Sequence, residues 1–554
     1  MKLSPAVPTL YPSQASVLIE RTALAAVSFL ALFVRFYSIT VPAIWYDEAY
    51  SLLLARETPA RIWTLTVLDV HPPLYYVLLH YWIMVWSDSA LPARALSVLA
   101  DVGTLLLCIK FMSLVSTRRA TWIAALLLAL LPISVRYSQE VRMYSLLGFW
   151  LMAATLALVC WTRAPDQKRY ALIYVLLMEA AFYTHYFAGL CVLVHWLFWW
   201  QSRAARVEAT IATEQWIVAN SAIVFLYLPW IPNLIKQIGN TGGDLSWIEP
   251  VTMQGALTLV WQFTVMGDYP ISVWQLIPFL WVLVCVATVV VSGPRERDFR
   301  VLIAGYFLVP LIILYLVALF FLLFVPRYLA FCAPGIAMVT AVALDIWGKR
   351  PVLLHAGLLL CVVSQLHGLT MVYRQADGLN GTAPRADSSF GSLVEALNQQ
   401  ARPGDEVIVA DVYWFPTFAY YSKSGIVPKF ETHSSIDDFL KITGIGPLSL
   451  IDDPVMSSYI DGITVLDCRS GRVWWITDLD SSREIPLFAK GRTPSVTLAG
   501  SNISAYLFTP ESMSAPSGTD TCSSFKPPPH PAAQNCPPGP SATSANRTRR
   551  SLRQ

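Results

Sequence analysis

Apolar runs long enough to cross a bilayer recur along this chain from about residue 22 to about residue 372. That recurrence leaves few folds open. In a hydrocarbon layer every backbone polar group must find its partner within the protein, so such runs are helices. Run length and hydropathy predict about 11 spans. The 554 residues are 55% hydrophobic and only 14% charged, with a mean hydropathy of +0.52, which places the chain among polytopic membrane proteins. A net charge of +3 is too small to indicate a nucleic-acid partner. The nine cysteines include no C-x-x-C pair, so neither a zinc site nor a disulfide framework is expected. The N-terminus lacks the ordering of a cleaved signal peptide, and the first apolar run is expected to remain as a span.

Charge placement orients the spans. Arg118 and Arg119, then Arg163, Lys168 and Arg169, then Arg203 and Arg206, then Arg295, Arg297 and Arg300, then Lys349 and Arg350 fall in alternate short loops. The positive-inside rule makes those loops cytoplasmic. The opposite loops then carry Asp47 and Glu48, the segment Arg136 to Arg142, the turn Thr184-His185-Tyr186, the segment Lys236 to Pro250, and Pro326-Arg327-Tyr328. The unusual polar residues therefore share the extracytoplasmic side. Two segments after Asp47, from Ala49 to Val70 and from Pro72 to Trp86, read as helices lying in the interface. Reading the second as a true span would reverse every later loop and put the arginines outside.

Beyond about residue 373 the pattern changes to that of a small extracytoplasmic α/β domain, residues 373–509, following a transmembrane domain of residues 1–372. Ser392 to Gln400 has helical spacing, Arg402-Pro403-Gly404-Asp405 is a turn, and Val407 to Ala410 and Val473 to Ile476 read as strands. Ser435 to Ile442 reads as a capped helix. Residues 510–554 are rich in Pro, Ser, Thr and Ala and predict a disordered tail, with Cys522 and Cys536 able to pair in an oxidising compartment.

Asp47 and Glu48 are two carboxylates where a chain leaves a membrane. Such groups can take a proton from an acceptor or bind a divalent metal; the alternative is a pair of solvated charges flanked by the interfacial anchors Trp45 and Tyr46. His71 precedes Pro72-Pro73 at a helix start, where a phosphate or metal is favoured, or it simply caps the helix. Arg136 to Tyr144 is the densest polar stretch between spans. There Glu140 can be a second acid, and Arg142 needs a partner or water at the start of a span. His185 and Arg327 either snorkel or join the same site.

The order of these motifs is an acidic pair after the first span, His71-Pro72-Pro73-Leu74-Tyr75-Tyr76, Tyr137-Ser138-Gln139-Glu140-Val141-Arg142-Met143-Tyr144, Thr184-His185-Tyr186, and Pro326-Arg327-Tyr328-Leu329 with Pro334. Over about residues 20 to 350 it resembles the glycosyltransferase family 39 group of integral membrane enzymes with the GT-C fold, which includes protein O-mannosyltransferases and lipid A aminoarabinose transferases. The resemblance implies Asp47 as the catalytic acid of the first external loop, Glu48 as its acidic neighbour, and Glu140, or else Gln139, as the second-loop acid. It implies donor-phosphate contacts at His71, Arg142, His185 and Arg327. Ala49-Tyr50-Ser51 stands where aminoarabinose transferases often carry a basic residue, which counts against an aminoarabinose donor. The C-terminal domain carries no assigned motif.

The activity implied by the resemblance is transfer of a sugar from a polyprenyl-phosphate donor to a glycolipid, polysaccharide or protein acceptor. Its setting would be a bacterial inner membrane, with the site facing the periplasm. One base and no enzyme nucleophile imply inversion. No cofactor is required; a divalent ion could use Asp47, Glu48, Glu140 and His71. A flippase or transporter of polyprenyl-linked sugar is the alternative, although it would call for ionisable groups near mid-membrane and paired broken helices.

Overall fold

In the computed structural model the described residues are 14–204, 210–240, 248–267, 272–292, 299–387, 389–410, 414–426, 428–432, 459–461, 471–478, 493–500 and 503–509. The expected helix Ser435 to Ile442, the tail from residue 510 with Cys522 and Cys536, and part of the segment Lys236 to Pro250 lie outside them.

Helix α1 (Gln14–Phe36) is the first long apolar helix. The chain then forms three short helices, α2 (Tyr46–Ala55), α3 (Pro59–Leu65) and α4 (Leu74–Trp86). Thr58 caps α3 by accepting from the Arg61 N–H, with Pro59 at the first helical position, where no N–H is needed. At about 1.5 Å per residue, the 13 residues of α4 fall well short of a bilayer. Tyr81, Met84, Val85 and Trp86 of α4 are exposed.

Helix α5 (Ala90–Val115) returns across the bundle, and α6 (Arg118–Leu130) follows with Thr117 as its cap. Helix α7 (Pro132–Ser138) continues α6 after a bend of 51°. Pro132 has no N–H to give, which frees carbonyls near the end of α6. Arg35 of α1 fills that need, donating to Ala129 O at 2.9 Å and Leu128 O at 3.3 Å while Asp101 of α5 balances its charge at 2.6 Å. A buried ion pair thus ties three helices at one break.

Then come α8 (Tyr144–Arg163), α9 (Lys168–Phe182), α10 (Ala188–Ala204), α11 (Thr213–Tyr227), α12 (Ile231–Asn240), α13 (Met253–Thr264), α14 (Ile277–Ser292) and α15 (Arg300–Ala318). A 3-10 segment, Pro326–Cys332, leads into α16 (Pro334–Trp347) through a bend of 48°, and α17 (Pro351–Tyr373) ends the membrane part. Outward-facing apolar side chains such as Phe29, Phe33, Leu280, Val284, Leu359 and Val363 are exposed, as a lipid-facing surface demands.

Among the described residues, seven helices are long and apolar enough to cross a membrane, or nine if each bent pair is one span. The expected count of about 11 is therefore not reached. Helices α9 and α10, with 15 and 17 residues, are not among those nine.

After α17 come a short helix α18 (Thr382–Ala386) and α19 (Ser389–Gln400). The strands are β1 (Glu406–Val409), β2 (Lys429–Thr432), β3 (Tyr459–Asp461), β4 (Val473–Asp478), β5 (Val496–Ala499) and β6 (Ile503–Phe508), with α20 (Phe415–Tyr421) between β1 and β2. They form one six-stranded sheet in the order β3-β2-β1-β4-β6-β5. The first four are parallel and β6 and β5 antiparallel. Val407, Val409, Trp474, Ile476 and Leu507 pack with Leu393, Val394 and Leu397 of α19. Both expected strands and the expected helix near residue 400 are present. In the aromatic run that begins at Tyr413, itself outside the described residues, Phe415 and Phe418 are core. Tyr421 Oη accepts from Ile44 N at 2.9 Å and Tyr420 Oη donates to Asp88 O at 3.1 Å, joining this domain to the segments around α2.

Candidate functional site

Asp47 is the second residue of α2, at the end where backbone N–H groups are free and a carboxylate is favoured. Its Oδ2 accepts no hydrogen bond from the described residues. Arg142 Nε lies 3.8 Å from it and Arg327 Nη1 3.7 Å, too far for hydrogen bonds and close enough for strong attraction. Arg142 is itself held, donating through Nη1 to Asp47 O at 3.3 Å and Ser51 Oγ at 3.2 Å. The carboxyl thus lies between two cations, its Oδ2 buried and the side chain as a whole only slightly exposed.

Glu48 has the opposite surroundings. It is fully buried, and Arg94 of α5 grips both its oxygens at 2.8 and 2.6 Å. Val141 N also donates to Oε1 at 2.9 Å. Arg94 completes its fork with Ile39 O, Pro42 O and Ala43 O. Glu48 therefore joins α2, α5 and the loop after α7. Glu140 is likewise buried between Arg136, which donates to it directly, and Arg385 at 3.7 Å. Burial works against its ionisation, but those two guanidinium groups outweigh it and hold its carboxyl below the usual glutamate range. Gln139, the other candidate for the second-loop acid, gives its amide to Arg35 O and Tyr37 O.

His71 and His185 come together with ring centroids 5.3 Å apart. The link is local: Leu74 N, at the start of α4, donates to Tyr183 O in the turn between α9 and α10. His71 Nδ1 lies 3.5 Å from Asp69, and Asp69 accepts from Tyr76 Oη at 3.1 Å. Burial pushes the His71 imidazole below its ordinary value against the pull of Asp69. Burial pushes His185 well below, with His71, Arg142 and Arg327 acting in the same direction. His185 Nδ1 accepts from Phe187 N, and its buried Nε2 has no hydrogen-bond partner among the described residues. Tyr144 and Tyr328 connect this pair to the arginines: their rings lie 6.1 and 5.6 Å from His185, with Arg142 over Tyr144 and Arg327 over Tyr328.

Asp47, Arg142, Arg327, His71 and His185 therefore share one place, while Glu48 and Glu140 stand behind it as ion-paired supports. The four residues considered for a divalent ion do not assemble around one: Glu48 and Glu140 spend their oxygens on arginines, and among the described residues no group of three or more His, Cys, Asp or Glu side chains could hold a metal. Sequence reasoning missed Asp69, Arg94, Asp377 and Arg385. An ionisable residue within an apolar run was the available signal for Arg94. Arg385 offered none, because its contact Gln139 lies 246 residues away.

A cleft of about 440 Å³ between α13, α14, α16 and α17 is lined by Trp261, Trp274, Trp281, Ile277, Leu360 and Val363. It is apolar, and none of the charged residues above lines it.

The chain shares its fold with solved structures of other proteins at low sequence identity. Among solved structures, ArnT from Cupriavidus metallidurans in the apo state is similar with a TM-score of 0.62 and 13% identity, over 91% of this chain and 100% of that one. The same protein bound to undecaprenyl phosphate gives a TM-score of 0.59, again at 13% identity and over 91% and 100% of the two chains. The archaeal oligosaccharyltransferase AglB from Archaeoglobus fulgidus, in complex with an inhibitory peptide and a dolichol-phosphate, gives 0.52 at 12% identity, over 75% of this chain and 65% of that one. No protein-family model and no curated protein matches the chain.

Proposed function

We propose that this protein transfers a sugar from a polyprenyl-phosphate donor to an acceptor on the extracytoplasmic face of a bacterial inner membrane. The observation that carries the reading is the slightly exposed Asp47 carboxyl, flanked by Arg142 and Arg327 at 3.8 and 3.7 Å. The undecaprenyl phosphate and dolichol-phosphate bound to the similar structures support a lipid phosphate as the donor's carrier.

In this reading the acceptor, a glycolipid, polysaccharide or protein, gives its proton to Asp47 as its heteroatom attacks the anomeric carbon. The bond from that carbon to the phosphate oxygen breaks, and the electron pair leaves with the lipid phosphate. Arg327 and Arg142 stabilise the charge that develops there, with His71 and His185 as further contacts. A single displacement with no enzyme nucleophile inverts the anomeric centre. Glu48 and Glu140 act by position: one fixes Asp47 at the head of α2, the other fixes the loop that carries Arg142. No step runs through a metal.

The test is incubation of membranes containing the protein with labelled polyprenyl-phosphate sugar. Label appearing on an acceptor supports a transferase. Movement of the lipid-linked sugar across the membrane without transfer would replace this reading with a flippase.

A further inference from the structure

Most of the candidate site comes from the first 330 residues, yet one of its most deeply buried cations arrives from beyond the last long helix. Residues 376–387 carry three contacts onto the loops around Asp47. Asp377 is almost completely buried; it accepts from Arg136 Nε at 2.9 Å, and its other oxygen takes the Leu379 N–H and the Thr382 hydroxyl. Arg385 is fully buried; its Nη2 donates to Gln139 O at 3.2 Å, its Nε faces Glu140 at 3.7 Å, and its backbone O accepts from Ala43 N at 2.9 Å. Gly381, at φ +86, lies against the Trp45 ring so closely that a Cβ would come within 2.6 Å of it.

These contacts are placed on both sides of the site. Ala43 and Trp45 immediately precede Asp47. Gln139 and Glu140 immediately precede Val141, whose N–H holds Glu48, and Arg142, which faces Asp47. The Arg385 Nε and Nη1 make no hydrogen bond with the described residues, and the carboxylate nearest Nε is already bound by Arg136. A buried guanidinium served so incompletely costs stability, which makes general support a poor account of it.

We propose that Arg385 is a positioning residue for the transfer, acting with Gly381 as a strap from the extracytoplasmic side. Through Gln139 and Glu140 it sets where Arg142 stands beside Asp47, and through Ala43 and Trp45 its segment sets the entry to α2. The proposal rests on the reading of Asp47 as the base.

The test uses the full chain, purified in lipid nanodiscs, as Arg385→Gln, Arg385→Lys and Gly381→Ala. Arg385→Gln and Gly381→Ala are expected to lower kcat per folded molecule about 10- to 100-fold, the scale of a misplaced reacting group, with donor KM changed less than kcat. Arg385→Lys, which keeps the charge but not the planar fork, recovers part of the loss. Hydrogen exchange of peptides covering residues 39–52 and 136–145 is expected to speed up in Arg385→Gln. Wild-type kcat in both Arg385→Gln and Gly381→Ala, or exchange confined to residues 376–387, overturns the strap while leaving the transferase reading in place. If the wild-type protein itself transfers nothing, the transferase reading fails, and the exchange measurement still decides whether the strap holds those loops.

Discussion

Glu48 gives both its oxygens to Arg94, while Asp47, one residue earlier, keeps an oxygen free of hydrogen bonds from the described residues beside Arg142 and Arg327. The difference follows from the helix: successive residues of α2 point about 100° apart, so one carboxyl enters the bundle and its neighbour faces the site. In the proposed reaction Arg327 would serve the donor more than the acceptor. Arg327→Ala is expected to raise donor KM about 10- to 100-fold, the worth of a charged hydrogen bond, with acceptor KM changed far less. Equal effects on both substrates would place Arg327 elsewhere in the reaction. The buried histidines give a pH dependence whose sign is fixed. Burial lowers the folded-state values of His71 and His185, so below the ordinary histidine value near 6.5 the unfolded chain binds more protons than the folded one. Stability is full above that pH and falls as pH drops through it, by up to about 1.4 kcal/mol per pH unit for each histidine. Thermal unfolding at pH 7.5 and 5.5 should show that loss, and His185→Asn should make it smaller; an unchanged slope in the variant would mean that His185 does not contribute to it.

The helices were legible where a local pattern governs them. The apolar runs and the strands around Val407 and Trp474 follow from period and length. The bends at Pro132 and Pro334 were not drawn from the sequence, since a proline in an apolar run signals a break but not its angle. Helix packing also depends on positions that carry no pattern. At Gly335 of α16 an added Cβ would lie 2.8 Å from Phe307 Cβ and 2.9 Å from its backbone N, so α15 and α16 approach there only because the side chain is absent. Gly335→Ala is expected to destabilise the bundle by about 1–3 kcal/mol as the two helices part, read as a lower unfolding temperature in detergent. A variant as stable as the parent would mean that this contact yields freely.

At the scale of the whole molecule, the positive-inside count brought Asp47, His71, Glu140, Arg142, His185 and Arg327 to one face before any distance was known, and the fold gathers them. What the count could not supply was the division of labour among them. Charge placement along a chain says which side of a membrane a residue occupies. Ion pairing across 46 residues from Glu48 to Arg94, or hydrogen bonding across 246 from Gln139 to Arg385, depends on tertiary contacts that leave no local trace. The aromatic run after β1 divides the same way: its inner members pack the sheet and its outer members, Tyr420 and Tyr421, tie the domain to the segments around α2. The proposed mechanism turns on Asp47 taking the acceptor's proton. That role is tested by single-turnover transfer from a labelled polyprenyl-phosphate sugar by purified wild-type protein and Asp47→Asn, with donor binding measured in parallel. With Asp47 as the base, the variant folds and binds donor while its transfer rate falls by about 10²- to 10⁴-fold. Near wild-type turnover in Asp47→Asn would show that the proton goes elsewhere.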